Sequence, residues 1–278
     1  MGSWAKKLFG RATFNQVGIV LAGTNPPEFE KEILALFDSV ESSKDAVYHA
    51  HLVKKNGQFY PLVTNVYGAP AMVDVMSEMH DGGCRTLLFI GYAYGGFKNL
   101  EVGTIVIPEK SYHYEGIYHP IDPDRKIGTP DPILKDKITS LLNKKKISFT
   151  TGTNISVPAV TFQLPHAHSE YQKIKPITLE MELAACFSRA KDLGIRTVGI
   201  LIVSDNRSSS IADTKKRVLR RKAKRNMLQI IIGNLNRLQL PILPLKKKFK
   251  IDEYLASIIE SKSRGVNIYR KKKIRFKQ

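Results

Sequence analysis

Two short acidic motifs in the second half of the chain contain the residue types that small-molecule chemistry needs. Glu180, Met181 and Glu182 stand together in LEMELA, and Ser204 and Asp205 end the apolar run ILIVSD. An apolar run of this length is typical of a buried strand. Ligands of α/β sheets bind beside the carboxyl ends of the strands. The two motifs therefore predict a site for a polar small molecule at one edge of a sheet.

The elements that position these motifs alternate between strand and helix. The sequence predicts strands at 17–22, 46–54, 59–66, 86–90, 104–108, 147–151 and 197–205. It predicts helices at 28–40, 71–80 and 132–145, one opened by Glu-Met-Glu, and one at 213–238. Residues 152–177 show little periodicity, which favours an active-site loop. We expect a single α/β domain at 16–244, with a central mixed β-sheet flanked by helices.

The last predicted helix, 213–238, is amphipathic. Its apolar residues recur at helical spacing, which predicts that they share one buried side. They are Val218, Leu219, Met227, Ile230, Ile231 and Leu235.

Composition limits the class of protein. With 278 residues, 42% of them hydrophobic, the chain is long enough for a large domain with its own core. Its apolar runs are of strand length, so we expect no membrane association, and the absence of a signal-peptide pattern predicts a cytoplasmic protein. Cys84 and Cys186 lie far apart without metal-type spacing. They are interpreted as reduced, buried thiols, and no metal site is predicted.

Positive charge is concentrated in the last quarter of the chain. Residues 211–278 contain 21 Lys and Arg against 4 Asp and Glu, whereas residues 1–210 contain 23 and 21. We therefore separate a short N-terminal segment (1–15) and a basic C-terminal extension (245–278) from the domain. The extension is consistent with nucleic-acid binding. A solvated helix face with a solubilising tail explains the same charge.

Five motifs together resemble one known family. VTNVYGAP (63–70), GYAYGG (91–96), LEVGTIVIPE (100–109), LEMELA (179–184) and ILIVSD (200–205) follow the order and spacing of the nucleoside phosphorylase and nucleosidase superfamily. This superfamily includes hexameric purine nucleoside phosphorylases, uridine phosphorylases and methylthioadenosine nucleosidases, and the resemblance covers about residues 16–240. It implies an enzyme that cleaves the N-glycosidic bond of nucleosides. It also implies a dimer, trimer or hexamer, and no cofactor except inorganic phosphate as co-substrate.

The resemblance assigns roles to the acidic motifs. Asp205 becomes the proton donor to the leaving base, with Ser204 beside it, and an acid at this place implies a purine preference. Donation near neutral pH requires a raised pKa, for which burial is a sufficient cause. As an alternative, Asp205 could be a helix N-cap. Glu182 is expected to bind the ribose hydroxyls and Met181 to pack on the sugar, while Glu180 is either a further ribose ligand or solvated.

Three aromatic residues are candidates for stacking on the base. They are Phe162, Tyr92 and Tyr94. Packing in the core explains each of them equally well.

The phosphate end departs from the family pattern. Phosphorolytic members carry arginines just before the Gly-rich turn and soon after the first strand. This chain has Phe89-Ile90-Gly91 and Gly23-Thr24-Asn25 there. If phosphate binds, the expected ligands are backbone amides near Gly23 and Gly95 and lysines or arginines of the helix at 215–225, for instance Arg217.

Two further hypotheses stay open. A nucleosidase would use Glu28 to activate water, although Glu28 also fits the acidic first turn of a helix after Pro27. A catalytically altered phosphorylase fold would instead bind nucleic acid through its basic C-terminus.

Overall fold

The chain forms a ten-stranded mixed sheet with helices packed on it. The computed structural model describes residues 4–43, 48–120, 122–163 and 169–244. Within them the strands are β1 (Val17–Ala22), β2 (Ser39–Ser42), β3 (His49–Lys55), β4 (Gln58–Val66), β5 (Thr86–Gly95), β6 (Ile105–His113), β7 (Ile127–Gly128), β8 (Thr150–Ser156), β9 (Thr178–Glu180) and β10 (Arg196–Asn206). The predicted α/β fold class is confirmed.

Eight helices accompany the sheet in the described residues. They are α1 (Trp4–Phe9), α2 (Pro27–Leu34), α3 (Ala69–Asp81), α4 (Pro132–Lys144), α5 (Ser169–Ile174), α6 (Leu183–Leu193), α7 (Thr214–Ile232) and α8 (Leu235–Leu238). A short 3-10 helix spans Val160–Phe162. None of these helices is both long enough and apolar enough to span a bilayer.

The strand order places three parallel strands at the centre. The order is β10-β6-β8-β9-β5-β1-β4-β3-β2, and β10 also pairs with β5, so β5, β10, β6, β8 and β9 close a ring. β1 and β10 both run parallel to β5. All six β1 residues are buried, as are the first nine of β10, which matches their continuous apolar runs. The carboxyl ends of these three strands therefore meet at one edge.

The long connection predicted at 152–177 is partly regular. Its first residues extend β8, and the 3-10 helix and α5 follow. The chain then enters the sheet again as β9, which ends at Glu180. Glu-Met-Glu therefore does not open a helix, because α6 begins at Leu183 with Glu182 as its N-cap. The N-terminal segment contributes α1, whose Ala5, Leu8 and Phe9 are buried.

The amphipathic prediction for the helix at 213–238 holds in its second half and is wrong in its first. Met227 and Ile231 are buried, but Val218 and Leu219 are 65% and 48% exposed. Arg220 and Lys224 take the inward positions instead, at 8% and 0% exposure. The first half of α7 therefore buries cations and exposes aliphatic side chains. The basic extension predicted at 245–278 lies outside the described residues.

Candidate functional site

A pocket of about 340 Å³ opens where β1, β5 and β10 end. It gathers residues that are distant in sequence, because the carboxyl ends of parallel strands meet there. The lining includes Gly23, Thr24, Pro26, Tyr67, Tyr92, Ala93, Tyr94, Val160, Gln163, Glu180, Met181, Glu182, Ser204, Asp205, Ile211, Arg217, Arg220 and Arg221. Both acidic motifs therefore face one space.

Glu180 is buried and has a full set of hydrogen-bond donors. One carboxylate oxygen accepts hydrogen bonds from Asn154 Nδ2 at 2.7 Å and from the Ser156 hydroxyl. The other accepts from the backbone N–H groups of Glu182 and Leu183, both at 2.7 Å. Glu180 is thus only 2% exposed, and solvation of this side chain is excluded. Its main effect is to hold the first turn of α6, and with it Glu182.

Glu182 connects α6 to the start of α3. Its Oε1 accepts a hydrogen bond of 2.6 Å from the Gly68 N–H, and its Oε2 accepts one of 3.3 Å from Met181. Gly68 has φ of 84°, a conformation that side chains disfavour, which explains the glycine in VTNVYGAP. Two backbone N–H groups donate to Glu182, and a side-chain hydrogen bond joins it to Glu180. Its oxygens keep further lone pairs for a ligand. This arrangement suits the binding of sugar hydroxyls.

The two glutamates shift each other's protonation. Burial raises the pKa of Glu182 to about 8, and the neighbouring charge of Glu180 adds to this. Burial also raises the pKa of Glu180, but its four hydrogen bonds oppose that effect. Of the two side chains, Glu180 therefore ionises first, and Glu182 keeps its proton more readily.

Asp205 reaches the pocket through an irregularity in β10. The pairing of β10 with β5 shifts register between Val203 and Asp205, and such bulges redirect side chains. The Ser204 hydroxyl donates to the Asp205 carboxylate and also lies 3.2 Å from the Ala93 carbonyl. Burial raises the pKa of Asp205, although Ser204 and the nearby charge of Arg220 oppose the rise. A partly buried carboxyl with a raised pKa is suited to general-acid catalysis.

The candidate base-stacking residues separate into two groups. Tyr92 and Tyr94 line the pocket, whereas Phe162 is 45% exposed on the 3-10 helix and is not part of the wall. Val160 and Gln163 beside it do line the pocket. Tyr92 also packs against Lys224, whose Nζ lies 4.2 Å from the ring centroid.

The structure does not bring Glu28 or Gly95 to the pocket wall. Glu28 lies exposed in the first turn of α2, after Pro27 at the start of the helix, as expected of an ordinary acidic first turn. Gly95 packs closely instead, since a Cβ there would lie 2.9 Å from the Leu100 carbonyl. Gly23, in contrast, has φ of 76° and lines the pocket.

The sequence predicted cations of the helix at 215–225 with Arg217 as the example, and it did not single out three further cations of α7. Arg220 and Arg221 also line the pocket, and Lys224 lies fully buried behind Tyr92. With Arg217 they fall at i, i+3, i+4 and i+7, which places all four on one helix face. The same spacing in the sequence could have identified them.

No metal-binding cluster of three His, Cys, Asp or Glu side chains forms among the residues that the structure describes. Cys84 and Cys186 are buried and unpaired by disulfide. Burial raises the pKa of each thiol to about 12, which makes both poor nucleophiles. The pocket wall itself supplies carboxyl groups, hydroxyls and arginines.

Solved structures share this fold at low sequence identity. Uridine phosphorylase from Vibrio fischeri matches with a TM-score of 0.68 at 17% identity, over 79% of this chain and 91% of that one. The 5′-methylthioadenosine/S-adenosylhomocysteine nucleosidase from Campylobacter jejuni matches with 0.67 at 13%, over 79% and 99%. The corresponding nucleosidase from Neisseria meningitidis gives 0.64 at 18%, over 80% and 100%.

The sequence itself matches a family model over most of its length. The phosphorylase superfamily model covers residues 18–232, which include every residue of the pocket wall. This match agrees with the resemblance carried by the five motifs. The chain belongs to the phosphorylase superfamily.

Proposed function

We propose that this protein cleaves the N-glycosidic bond of a nucleoside whose leaving base is a purine. The observation that carries the proposal is that Glu182 and Asp205 face one pocket with raised pKa values. Cleavage of this bond leaves negative charge on the base and positive charge on the ribose. A proton donor at one end of the pocket and hydrogen-bond acceptors at the other match these two needs.

Each residue then has a defined task. The protonated Asp205 carboxyl donates to a ring nitrogen of the base as the electrons of the bond from C1′ pass to the base. Glu182 accepts hydrogen bonds from the ribose hydroxyls, and Met181 packs against the sugar. Tyr92 and Tyr94 contact the base. Glu180 acts as a positioning residue, because its hydrogen bonds to the first turn of α6 fix Glu182.

The purine part of the proposal is supported by Asp205. A carboxyl at this place can donate to purine N7, an acceptor that uracil lacks. The structural relatives include a uridine phosphorylase and two nucleosidases, so fold alone favours neither type of base. The proposal on the base therefore depends on Asp205.

Release of free base tests both the cleavage of the glycosidic bond and the preference for a purine. Purified protein is incubated with inosine, adenosine, 5′-methylthioadenosine and uridine, each with and without inorganic phosphate, and the bases are separated by chromatography. We expect purine release to exceed uracil release. Faster release from uridine would contradict the purine preference, and no release from any nucleoside would contradict the proposed function.

The same assay identifies the acceptor of the sugar. Release that requires phosphate indicates phosphorolysis, and release without it indicates hydrolysis. Exposure of Glu28 leaves hydrolysis without the water-activating group predicted for it. The arginines of α7 favour phosphorolysis, which we propose as the main reaction.

We also propose that the protein self-associates. Three exposed apolar side chains, Tyr67, Val160 and Phe162, lie on or beside the pocket wall at 52%, 50% and 45% exposure. Exposed apolar patches of this kind mark interaction surfaces. Light scattering after size-exclusion chromatography tests this, and a mass of 31.3 kDa at assay concentrations would contradict it.

A further inference from the structure

The outward side of α7 combines exposed aliphatic side chains with positive charge. Four of its residues recur at i, i+3, i+4 and i+7, which places them on one stripe along the helix. They are Lys215, Val218, Leu219 and Lys222, and all four are exposed. None of them lines the pocket at the ends of β1, β5 and β10. This outer stripe therefore has no part in the nucleoside chemistry proposed above.

No acidic residue of α7 balances its positive charge. The helix contains eight Lys and Arg and no Asp or Glu, and its N-cap is Asp213. Among the described residues, its ion pair joins Arg225 to Glu32 at 3.5 Å, and both of these side chains are about half exposed. Neither lysine of the outer stripe forms an ion pair with a described residue. The stripe can therefore attract an anionic partner.

The aliphatic residues of the stripe are grouped rather than scattered. Val218 and Leu219 are 65% and 48% exposed, and Ile211, just before the helix, is 55% exposed. Single apolar residues on a surface need no explanation, but apolar residues grouped together mark interaction surfaces. Aliphatic side chains next to lysines on one helix are typical of segments that lie in the surface of an anionic bilayer.

A protein partner fits this face less well. In a symmetric contact between two copies, each α7 would bring its eight cations against those of the other, and like charges across an interface cost free energy. A stable protein interface covers roughly 800 Å² on each side. The stripe from Lys215 to Lys222 is only about 11 Å long.

Nucleic acid shares the attraction to positive charge but gains little from aliphatic side chains. Its phosphates contact Lys and Arg, and its unpaired bases stack on aromatic rings. The outer stripe has Val and Leu between its lysines and no aromatic residue. In a bilayer, the acyl chains at the headgroup boundary accept aliphatic side chains, while anionic headgroups attract lysines. The residue types of the stripe therefore favour a lipid surface.

We propose that the outer stripe binds the surface of an anionic lipid bilayer. Val218 and Leu219 enter the boundary between headgroups and acyl chains, and Lys215 and Lys222 contact the headgroups beside them. Strand-length apolar runs predicted no membrane association, and none of the described helices can span a bilayer. A helix that lies in the bilayer surface needs only one apolar stripe, so it does not require an apolar span.

Co-sedimentation of the full-length chain with lipid vesicles tests the proposal. The vesicles contain phosphatidylcholine alone or phosphatidylcholine with phosphatidylserine. We expect binding to the anionic vesicles alone, and weaker binding as salt is added, because salt screens electrostatic attraction. Equal binding to both kinds of vesicle, or binding to neither, would overturn the proposal.

Two double variants separate the aliphatic contribution from the charge. Val218→Ser with Leu219→Ser should weaken binding to the anionic vesicles about 10-fold or more, because less aliphatic surface leaves water. Lys215→Ala with Lys222→Ala should weaken it about 30-fold, since each cation near an anionic surface contributes about 5-fold to affinity. Residues 245–278 stay in every variant, so their positive charge affects all of them equally.

Ile133→Ser is the matched control for the aliphatic variant. Ile133 is 51% exposed on α4, a helix that also carries lysines, so its substitution removes a similar side chain from another face. It should bind vesicles like the unchanged protein. All of these positions are exposed, so we expect thermal transitions close to that of the unchanged protein. A loss in Ile133→Ser as large as in the double variant would overturn the assignment to α7.

An RNA or DNA oligonucleotide identifies the alternative partner. Oligonucleotide binding that is lost in the lysine variant and kept in the aliphatic variant, without vesicle binding, would assign the stripe to nucleic acid and overturn the proposal. Vesicle binding that requires both pairs of residues supports it. Neither result requires cleavage of a nucleoside, so this proposal and the proposed function can fail separately.

Discussion

The charged side chains at the two ends of the pocket differ in how many hydrogen-bond and ion-pair partners they have within the protein. At the end lined by the two acidic motifs, Glu180 has four donors, Glu182 has two and Asp205 has Ser204. At the α7 end, Arg217 and Arg221 form no ion pair within the described residues. The first end is therefore organised before a ligand arrives. The second carries arginines that no carboxylate of the described residues joins in an ion pair.

Because of this difference, we expect one end of the pocket to recognise the nucleoside and the other end to determine whether phosphate or water accepts the sugar. In the proposed function a nucleoside binds at the organised end, which contains the family motifs. In the proposed function the acceptor of the sugar binds at the α7 end, because the arginines of phosphorolytic members are absent from Phe89–Gly91 and from the loop after β1. Variants at the two ends should therefore change different quantities, and the following five predictions examine this from the largest expected effect to the smallest.

Asp205→Asn should have the largest effect. An amide cannot supply the proton, so we expect kcat to fall by about 10²- to 10⁴-fold. In the unchanged protein, kcat should fall as pH rises through the raised pKa of Asp205, because the donor form is lost. Steady-state kinetics across pH measures both effects. Full activity of Asp205→Asn would remove Asp205 from the mechanism.

Glu182→Gln should act on the sugar. Above about pH 8, where Glu182 is charged, we expect KM for a ribonucleoside to rise about 10- to 100-fold, and the preference over its 2′-deoxy analogue to shrink, because a charged acceptor is lost. Glu180→Gln is the comparison variant. Its amide cannot accept four hydrogen bonds, so we expect lower stability with the 2′-deoxy preference retained. Equal preferences in both variants would show that Glu182 does not bind the ribose.

Lys224→Met should stabilise the fold at pH 7 by about 1–4 kcal/mol, since it removes a buried charge. The pKa of Lys224 falls from 10.5 in the unfolded chain to about 7 in the fold. As pH drops from 10.5 to 7 the unfolded chain takes up the proton first, so the free energy of unfolding decreases over that range. Denaturant unfolding should show this slope only in the unchanged protein.

Glu182 should make the free energy of unfolding change with pH in the direction opposite to that expected for Lys224. Its pKa rises from 4.5 in the unfolded chain to about 8 in the fold, so the unfolded chain loses its proton first as pH increases. This contribution to stability is present below pH 4.5 and is lost by about pH 8. Glu182→Gln serves as its control. If the contributions of Lys224 and Glu182 to the free energy of unfolding changed with pH in the same direction, the assigned pKa shifts of these two residues would be wrong.

Leu219→Ser should have the smallest effect. Leu219 is 48% exposed, so we expect a change in unfolding free energy within about 0.5 kcal/mol. Met227→Ala, at a buried position two turns later on α7, should cost about 2–5 kcal/mol. Thermal unfolding of both variants measures the contrast. A large loss from Leu219→Ser would contradict the reversed orientation of α7.

Local patterns were sufficient for much of the fold. The run Val17–Ala22 predicted β1 to the residue, because a continuous apolar segment between turn signals has few other uses. Sequence patterns did not predict the structure where the chain passes from a strand to a helix within a few residues. Glu180 ends β9 and Leu183 begins α6, and neither length nor periodicity marks so short a strand.

The site shows the same division. LEMELA and ILIVSD indicated Glu182 and Asp205 because the family motifs fix residue types at fixed places. Phe162 and Glu28 have suitable residue types but do not line the pocket, since a residue type does not specify a direction. The sequence did not indicate the burial of Lys224, because a lysine in a basic helix is usually solvated.

The sequence by itself determined the alternation of strands and helices, the family and the acidic end of the pocket, because these depend on local periodicity and on motifs. Only the tertiary structure decided which face of α7 turns inward, and with it the cationic end. Helical spacing defines faces but not their partners. Packing of α7 against the loop after β1 and against Tyr92 selects the basic face.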